Sequence, residues 1–283
     1  MNKHLVKDWM SSNPFTVSPQ STLLESYDLM QGQHIRRLPV LSDGRLVGIL
    51  TLGDIREFKP SEAMTLSVFD TPNALAHLSA GQAMTTKVIT TTPETTIQEA
   101  TQLMLSHKIA GLPVVDGAQL VGVITESDIL GALLNEFQSG QAPADFVQQW
   151  MTVNPVTVGQ KTKALALREM MNEHHVRHLP VLEEGRLLGI VSLGDLRGAE
   201  PSPFTTLGTF ELTYLKTLMN VGQIMKYDPF TIASKASIYE AAALMVAHKI
   251  GCLPVVDHDK LVGIISESDV LRMASRALSM ETA

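Results

Sequence analysis

The chain has 283 residues, 45% of them hydrophobic, enough to bury ordinary cores in two domains of about 140 residues each. Its net charge of −7 speaks against a surface that coats the phosphate backbone of nucleic acid, so an anionic ligand would need a local basic pocket or a metal. A single cysteine, Cys252, excludes an intramolecular disulfide framework, apolar runs such as Leu46 to Leu50 are too short to cross a bilayer, and the N-terminus has no apolar signal core; a soluble cytoplasmic protein is expected.

In chain order, Asn13-Pro14 marks a turn and Phe15-Thr16-Val17 reads as a short strand. Thr22 and Glu25 have capping-box spacing, and Leu23, Tyr27 and Met30 form an apolar stripe at i, i+4 and i+7, which predicts a helix. Ile35 to Leu41 and Arg45 to Leu50 then flank Asp43-Gly44, the signature of a hairpin. The near-continuous apolar run of the second of these strands predicts burial on both faces beneath covering helices. A second helix is expected after Thr51, running through Asp54, Ile55 and Arg56.

This unit recurs four times. Pro39 to Pro113 and Pro180 to Pro254 are each 74 residues apart, and Pro39 to Pro180 is 141; Asp54, Asp128, Asp195 and Asp269 give the same offsets. Thr96 with Glu99 and Ser237 with Glu240 repeat the helix cap, the third repeat lacks the capping glutamate, and Met104, Met171 and Met245 stand where Met30 does. The repeats run over about 5–58, 80–136, 146–199 and 221–277. Helical content is expected in the connections 60–80 and 201–220, and the polar, turn-rich stretch 138–143 is the expected boundary between halves 1–140 and 141–283. Since one repeat cannot bury its apolar face alone, function is expected between repeats.

Each repeat ends in a hydroxyl residue three positions before an aspartate: Thr51 with Asp54, Thr125 with Asp128, Ser192 with Asp195, Ser266 with Asp269. Such spacing is a helix capping box and needs no ligand. A carboxylate in the first turn of a helix can also accept hydrogen bonds from ribose hydroxyls, so both readings can hold together. Ahead of Leu-Pro-Val, repeats one and three carry Arg36-Arg37 and Arg177-His178, whereas repeats two and four carry Ala110-Gly111 and Gly251-Cys252. Strand alternation sends Arg36 and Arg37 to opposite faces, so at most one of each pair should face a given cleft. His34, Lys108, His175 and Lys249 simply complement the C-terminus of the first helix. There is no metal-ligand spacing, Walker-type loop or nucleophile elbow, and Cys252 reads as a small buried residue.

The segments Ile109 to Asp116 and Leu120 to Leu130 closely resemble a cystathionine beta-synthase (CBS) domain, and all four repeats follow the pattern. The resemblance implies an α/β (α+β) fold of four CBS domains, each a small three-stranded sheet with two helices, paired into two pseudo-twofold Bateman modules. It also implies adenosine nucleotides, AMP, ADP or ATP, in the clefts between paired domains. Carried over by residue, Asp54, Asp128, Asp195 and Asp269 would accept ribose hydroxyls, and Thr51, Thr125, Ser192 and Ser266 would lie near ribose or phosphate. Thr16, Thr90, Thr157 and Thr231 would flank the base. In related sensors, such as the gamma subunit of AMP-activated protein kinase, basic residues at the positions of Arg36, Arg37, Arg177 and His178 bind phosphates. The expected protein is a non-enzymatic sensor with no catalytic cofactor or resident metal, with Mg²⁺ as a candidate companion of the nucleotide. It would act on an effector protein in trans or through its own oligomer. The alternatives are an interaction scaffold with no ligand and a sensor of S-adenosylmethionine, whose sulfonium suits the basic segments poorly.

Overall fold

The computed structural model describes residues 5–57, 78–136, 145–200, 214 and 217–281. The expected boundary at 138–143 and nearly all of the two connections therefore lie outside the described residues.

The first repeat folds as helix Leu23–Gly32, strand Arg37–Ser42, strand Arg45–Thr51 and helix Leu52–Glu57. The capping box is formed: Glu25 N–H donates to Thr22 Oγ1 at 3.1 Å and Thr22 N–H to Glu25 Oε2 at 2.8 Å. Ser237 and Glu240 do the same in repeat four, while Lys163 begins the helix of repeat three without a side-chain cap. The hairpin pairs Ser42 with Arg45, and Asp43 and Gly44 both take positive φ, 49° and 75°, the twist that matches two paired strands. His34, Lys108, His175 and Lys249 are all left-handed, with φ from 52° to 54°, so this position also serves as the residue that turns the chain out of the first helix.

Two expectations are corrected. The strand at Phe15-Thr16-Val17 shrinks to one parallel bridge, Val17 with Val40; only repeat three keeps a two-residue strand there, Val158–Gly159. The apolar strand Arg45–Thr51 is not buried on both faces: Gly48 and Leu50 are buried, while Leu46, Val47, Ile49 and Thr51 are half-exposed. Its outer side is met by chain from the neighbouring repeat.

The described residues form two compact units. The first takes those of 5–96 and 111–125, the second those of 97–110, 126–200 and 214–281. The strands of repeat two thus belong with repeat one, and its helices with repeats three and four.

In the first unit, repeats one and two exchange their entry segments. Ser11 and Ser12 pair with Val123 and Gly122 on strand Gln119–Thr125, and Thr85 bridges to Ile49. The short helix Ala80–Ala83 docks on repeat one through Ala80 N–H to Ser21 O and Gly81 N–H to Pro19 O; the turn Val6–Asp8 docks on repeat two through Val6 N–H to Thr95 O. Arg45 pairs with Gln119 and joins the two hairpins into one five-stranded sheet. Leu23, Met30, Leu38, Val40, Leu50 and Ile55 form a core completed by Leu78 and Ala80 from the exchanged segment.

In the second unit, repeats three and four make the same exchange. Thr152–Val153 pairs with strand Lys260–Ser266, and Lys226–Tyr227 with strand Arg186–Ser192. Helices Ile97–His107 and Glu126–Glu136 of repeat two pack against Ile238–His248 and Glu267–Glu281 of repeat four. Ile129, Leu130 and Leu133 on one side and Val270, Leu271 and Ala274 on the other are buried, at the i, i+1 and i+4 positions of amphipathic helices.

Candidate functional site

In the first unit the capping motif and the basic segment share one end of a hairpin. Arg37 opens its strand opposite Thr51, the last residue of the next strand. Thr51 N–H and Oγ1–H both donate to Asp54 Oδ2 at 2.7 Å, and Asp54 N–H returns a bond to Thr51 Oγ1 at 3.2 Å. The capping reading thus holds, yet the cap engages one carboxylate oxygen; Oδ1 takes no hydrogen bond from the described residues. Arg36 is exposed and Arg37 half-buried, the division that strand alternation demands.

The Arg37 guanidinium crosses to repeat two and lies against Gly111, where a Cβ would come 1.8 Å from its Nη1. Gly111 in turn pairs with Thr125. The small residue of one repeat is therefore the space that the cation of the other occupies, rather than only room for a base. Thr16 and Thr90 are half-buried, each one residue before its bridge to the second strand.

In the second unit His178 stands opposite Ser192 and Cys252 opposite Ser266. The His178 ring lies beside Gly251, where a Cβ would be 3.5 Å from both His178 Cε1 and Glu267 Oε2. Arg177 is exposed and faces Glu126, Nη2 to Oε2, at 3.7 Å. Asp195 Oδ2 accepts from Ser192 N–H and Oγ–H, while Oδ1 lies 3.5 Å from Lys226 Nζ. Asp269 is enclosed further: Oδ2 accepts from Ser266 N–H and Oγ–H at 2.8 and 2.6 Å, and Oδ1 from Arg272 at 2.8 Å. Thr157 is half-buried and Thr231 exposed. Among the described residues, none of the hydroxyls of Thr16, Thr90, Thr157 and Thr231 bonds to a capping Asp.

Cys252 is buried, and its thiol is pushed up to about 12, first by burial and then by the carboxylates of Glu267 and Asp195. It is a packed side chain, as the sequence suggests. Ser127, Glu126, Ser268 and Glu267 were not singled out by sequence, although the signal is there: repeats two and four place Glu-Ser inside the capping motif where repeats one and three place Leu-Gly. Among the described residues no three His, Cys, Asp or Glu side chains converge as a metal site, and no helix is long and apolar enough to cross a membrane.

An exchanged pair of sheet-and-helix repeats, with a capping Asp and a basic segment at one end of the hairpin, defines a class of ligand-binding domain pair. Residues 6–61, 80–135, 147–202 and 221–276 each match the CBS domain, and the chain belongs to the CBS-domain family, its four repeats forming tandem Bateman pairs. It is 33% identical over 268 residues to uncharacterized protein MJ1225 of Methanocaldococcus jannaschii, covering 91% of this chain and 94% of that one. The crystal structure of MJ1225, described as a proposed archaeal homolog of g-AMPK, is similar with a TM-score of 0.77 at 27% identity, over 95% of this chain and 99% of that one. A conserved protein of Pyrococcus horikoshii shares the fold, with a TM-score of 0.65 at 23% identity over 95% and 99% of the two chains. CBS domain-containing protein YhcV of Bacillus subtilis is 36% identical over 118 residues, 42% of this chain and 82% of its own.

Proposed function

We propose that the chain is a non-enzymatic regulator that binds adenosine nucleotides between its paired CBS domains and passes the change to an effector protein in trans. The observation that supports this reading is the cross-strand pairing of Arg37 with Thr51, which brings the basic segment to the same end of the hairpin as the Asp54 cap, an aspartate with one oxygen left over. His178 and Ser192 repeat the cross-strand pairing in the third repeat, where Asp195 Oδ1 faces Lys226. In this reading Asp54, Asp128, Asp195 and Asp269 receive ribose hydroxyls. Arg36 or Arg37, and Arg177 or His178, receive phosphates, at most one of each pair facing a given cleft, with Mg²⁺ as a companion ion, and Thr16, Thr90, Thr157 and Thr231 flank the base. The description of MJ1225 as a proposed homolog of g-AMPK supports the same ligand class.

The signal follows from differential affinity. A nucleotide that touches groups of both exchanged repeats favours the arrangement in which they fit it best, and shifts the population by no more than that difference. The scaffold reading draws support from Asp269, both of whose oxygens are taken by protein donors. Calorimetric titration of nucleotide-free protein with AMP, ADP, ATP and S-adenosylmethionine, with and without Mg²⁺, decides between them. The sensor requires saturable binding that weakens at least about tenfold in the Asp54→Asn, Asp195→Asn double variant, since a hydrogen bond to a charged group contributes about 1.5–3 kcal/mol. Absence of binding by all four ligands overturns the sensor and leaves the scaffold.

A further inference from the structure

Inside the second compact unit, the two Glu-Ser pairs of repeats two and four bond to one another. Ser127 Oγ donates to Glu267 Oε1 at 3.0 Å, and Ser268 Oγ donates to Glu126 Oε1 at 3.1 Å. The exchange is reciprocal, because Ser127 and Ser268, like Glu126 and Glu267, are equivalent positions 141 residues apart. Each glutamate is therefore oriented by a hydroxyl from the other repeat. Glu126 is enclosed, its side chain 11% exposed, and the oxygen that does not bind Ser268 faces Arg177.

At 3.7 Å this is an ion pair without a close hydrogen bond, and the Arg177 side chain remains 56% exposed. Such a pair is weak, so the guanidinium can turn to a better anion. The carboxylate cannot follow or retreat as easily, being buried on a helix and bonded to Ser268. An anion drawn to Arg177 thus meets a fixed negative charge about one ion-pair distance beyond the cation.

We propose that Glu126 is a specificity-determining residue, which competes with ligand phosphates for Arg177 and sets the charge a ligand must carry to bind there. The inference rests on the reading of Arg177 as a phosphate-binding residue. Its physical content is that Glu126 cancels part of the attraction of Arg177, and the loss grows with the charge of the incoming phosphate chain. Glu126→Gln keeps an oxygen to accept from Ser268 and removes the charge.

The test is titration of the full chain with AMP, ADP and ATP, and with inorganic tripolyphosphate, for the wild type, Glu126→Gln, Arg177→Ala and a charge-matched control, Glu94→Gln. Glu94 pairs with Lys7 on an exposed surface. In Glu126→Gln the expected gain in affinity is roughly tenfold for ATP and tripolyphosphate, smaller for ADP and smallest for AMP, with Glu94→Gln changing all alike by less than about twofold. Equal gains for every ligand, or none, in a protein whose Arg177→Ala variant binds more weakly overturn the inference and leave the sensor standing. If the wild type binds no nucleotide and Arg177→Ala alters nothing, the sensor reading has failed and this inference falls with it. A thermal melt of each variant identifies a loss caused by unfolding, and Glu126→Asp, which keeps the charge, should then restore the wild-type order of affinities.

Discussion

Where the first short strand of each repeat meets the second, three repeats carry an aliphatic residue, Val17, Val158 and Ile232, and the second repeat carries Thr91. Thr91 is 4% exposed, and among the described residues its Oγ1 has no hydrogen-bond partner. A buried hydroxyl without a partner keeps its desolvation cost, about 1–3 kcal/mol. Thr91→Val preserves the shape and should stabilise the protein by about 1 kcal/mol, seen as a higher urea midpoint with unchanged m-value. A lower midpoint would mean that the hydroxyl has a partner after all. The same scale separates what residue identity foretells from what it does not. The four aspartates and the basic segments were legible because both recur at fixed offsets. The difference between Asp54, with one oxygen left over, and Asp269, held by Arg272, was not, since it depends on side-chain geometry that identical spacing hides.

At the scale of elements, the fourfold exchange rests on a contact between a methionine and a glycine. Met10, Met84, Met151 and Met225 precede the exchanged segments, and each lies on the glycine of the partner repeat's last strand: Gly122, Gly48, Gly263 and Gly189. A Cβ at Gly48, Gly122 or Gly263 would come 2.3 to 2.5 Å from a methionine Sδ, whereas at Gly189 it would come 2.6 Å from the backbone oxygen of Lys226. A flexible thioether can yield and a paired backbone cannot. Gly189→Ala should therefore cost more than Gly122→Ala, about 3 kcal/mol against about 1, measured by chemical denaturation. Equal costs would show that the exchanged strand shifts as readily as a side chain. The helices and hairpins were legible from caps, stripes and the Asp-Gly turn. The exchange was not, because two-residue pairings and four-residue helices are too short to leave a periodic pattern, and the partner of a segment lies in another repeat, as Thr85 bridges back to Ile49 and Ser11 pairs with Val123.

At the scale of the whole molecule, four copies in two tandem pairs were legible from the offsets, and the exchange of segments within each pair gives that pairing its physical form. The offsets do not reveal which surfaces the copies share. Helices Ile97–His107 and Glu126–Glu136 lie in the first half of the sequence, yet they pack with the last helices of the second half in one compact unit. Amphipathic stripes on these helices predict a buried face without naming what covers it. The shared core implies that a defect placed in the first half destabilises the second. Leu130 is fully buried on Glu126–Glu136, and Leu130→Ala removes about 2–5 kcal/mol from such a core. The chain has two tryptophans, Trp9 and Trp150, and Trp150 closes the short helix Val147–Trp150, which packs against Glu267–Glu281. In a Trp9→Phe background the fluorescence of Trp150 reports the second half alone. Leu130→Ala should lower the denaturation midpoint seen by Trp150, although the two residues belong to different repeats and different halves. An unmoved Trp150 transition beside a destabilised first half would mean that the helices of repeat two melt without those of repeat four, and that the halves hold together by chain connectivity alone.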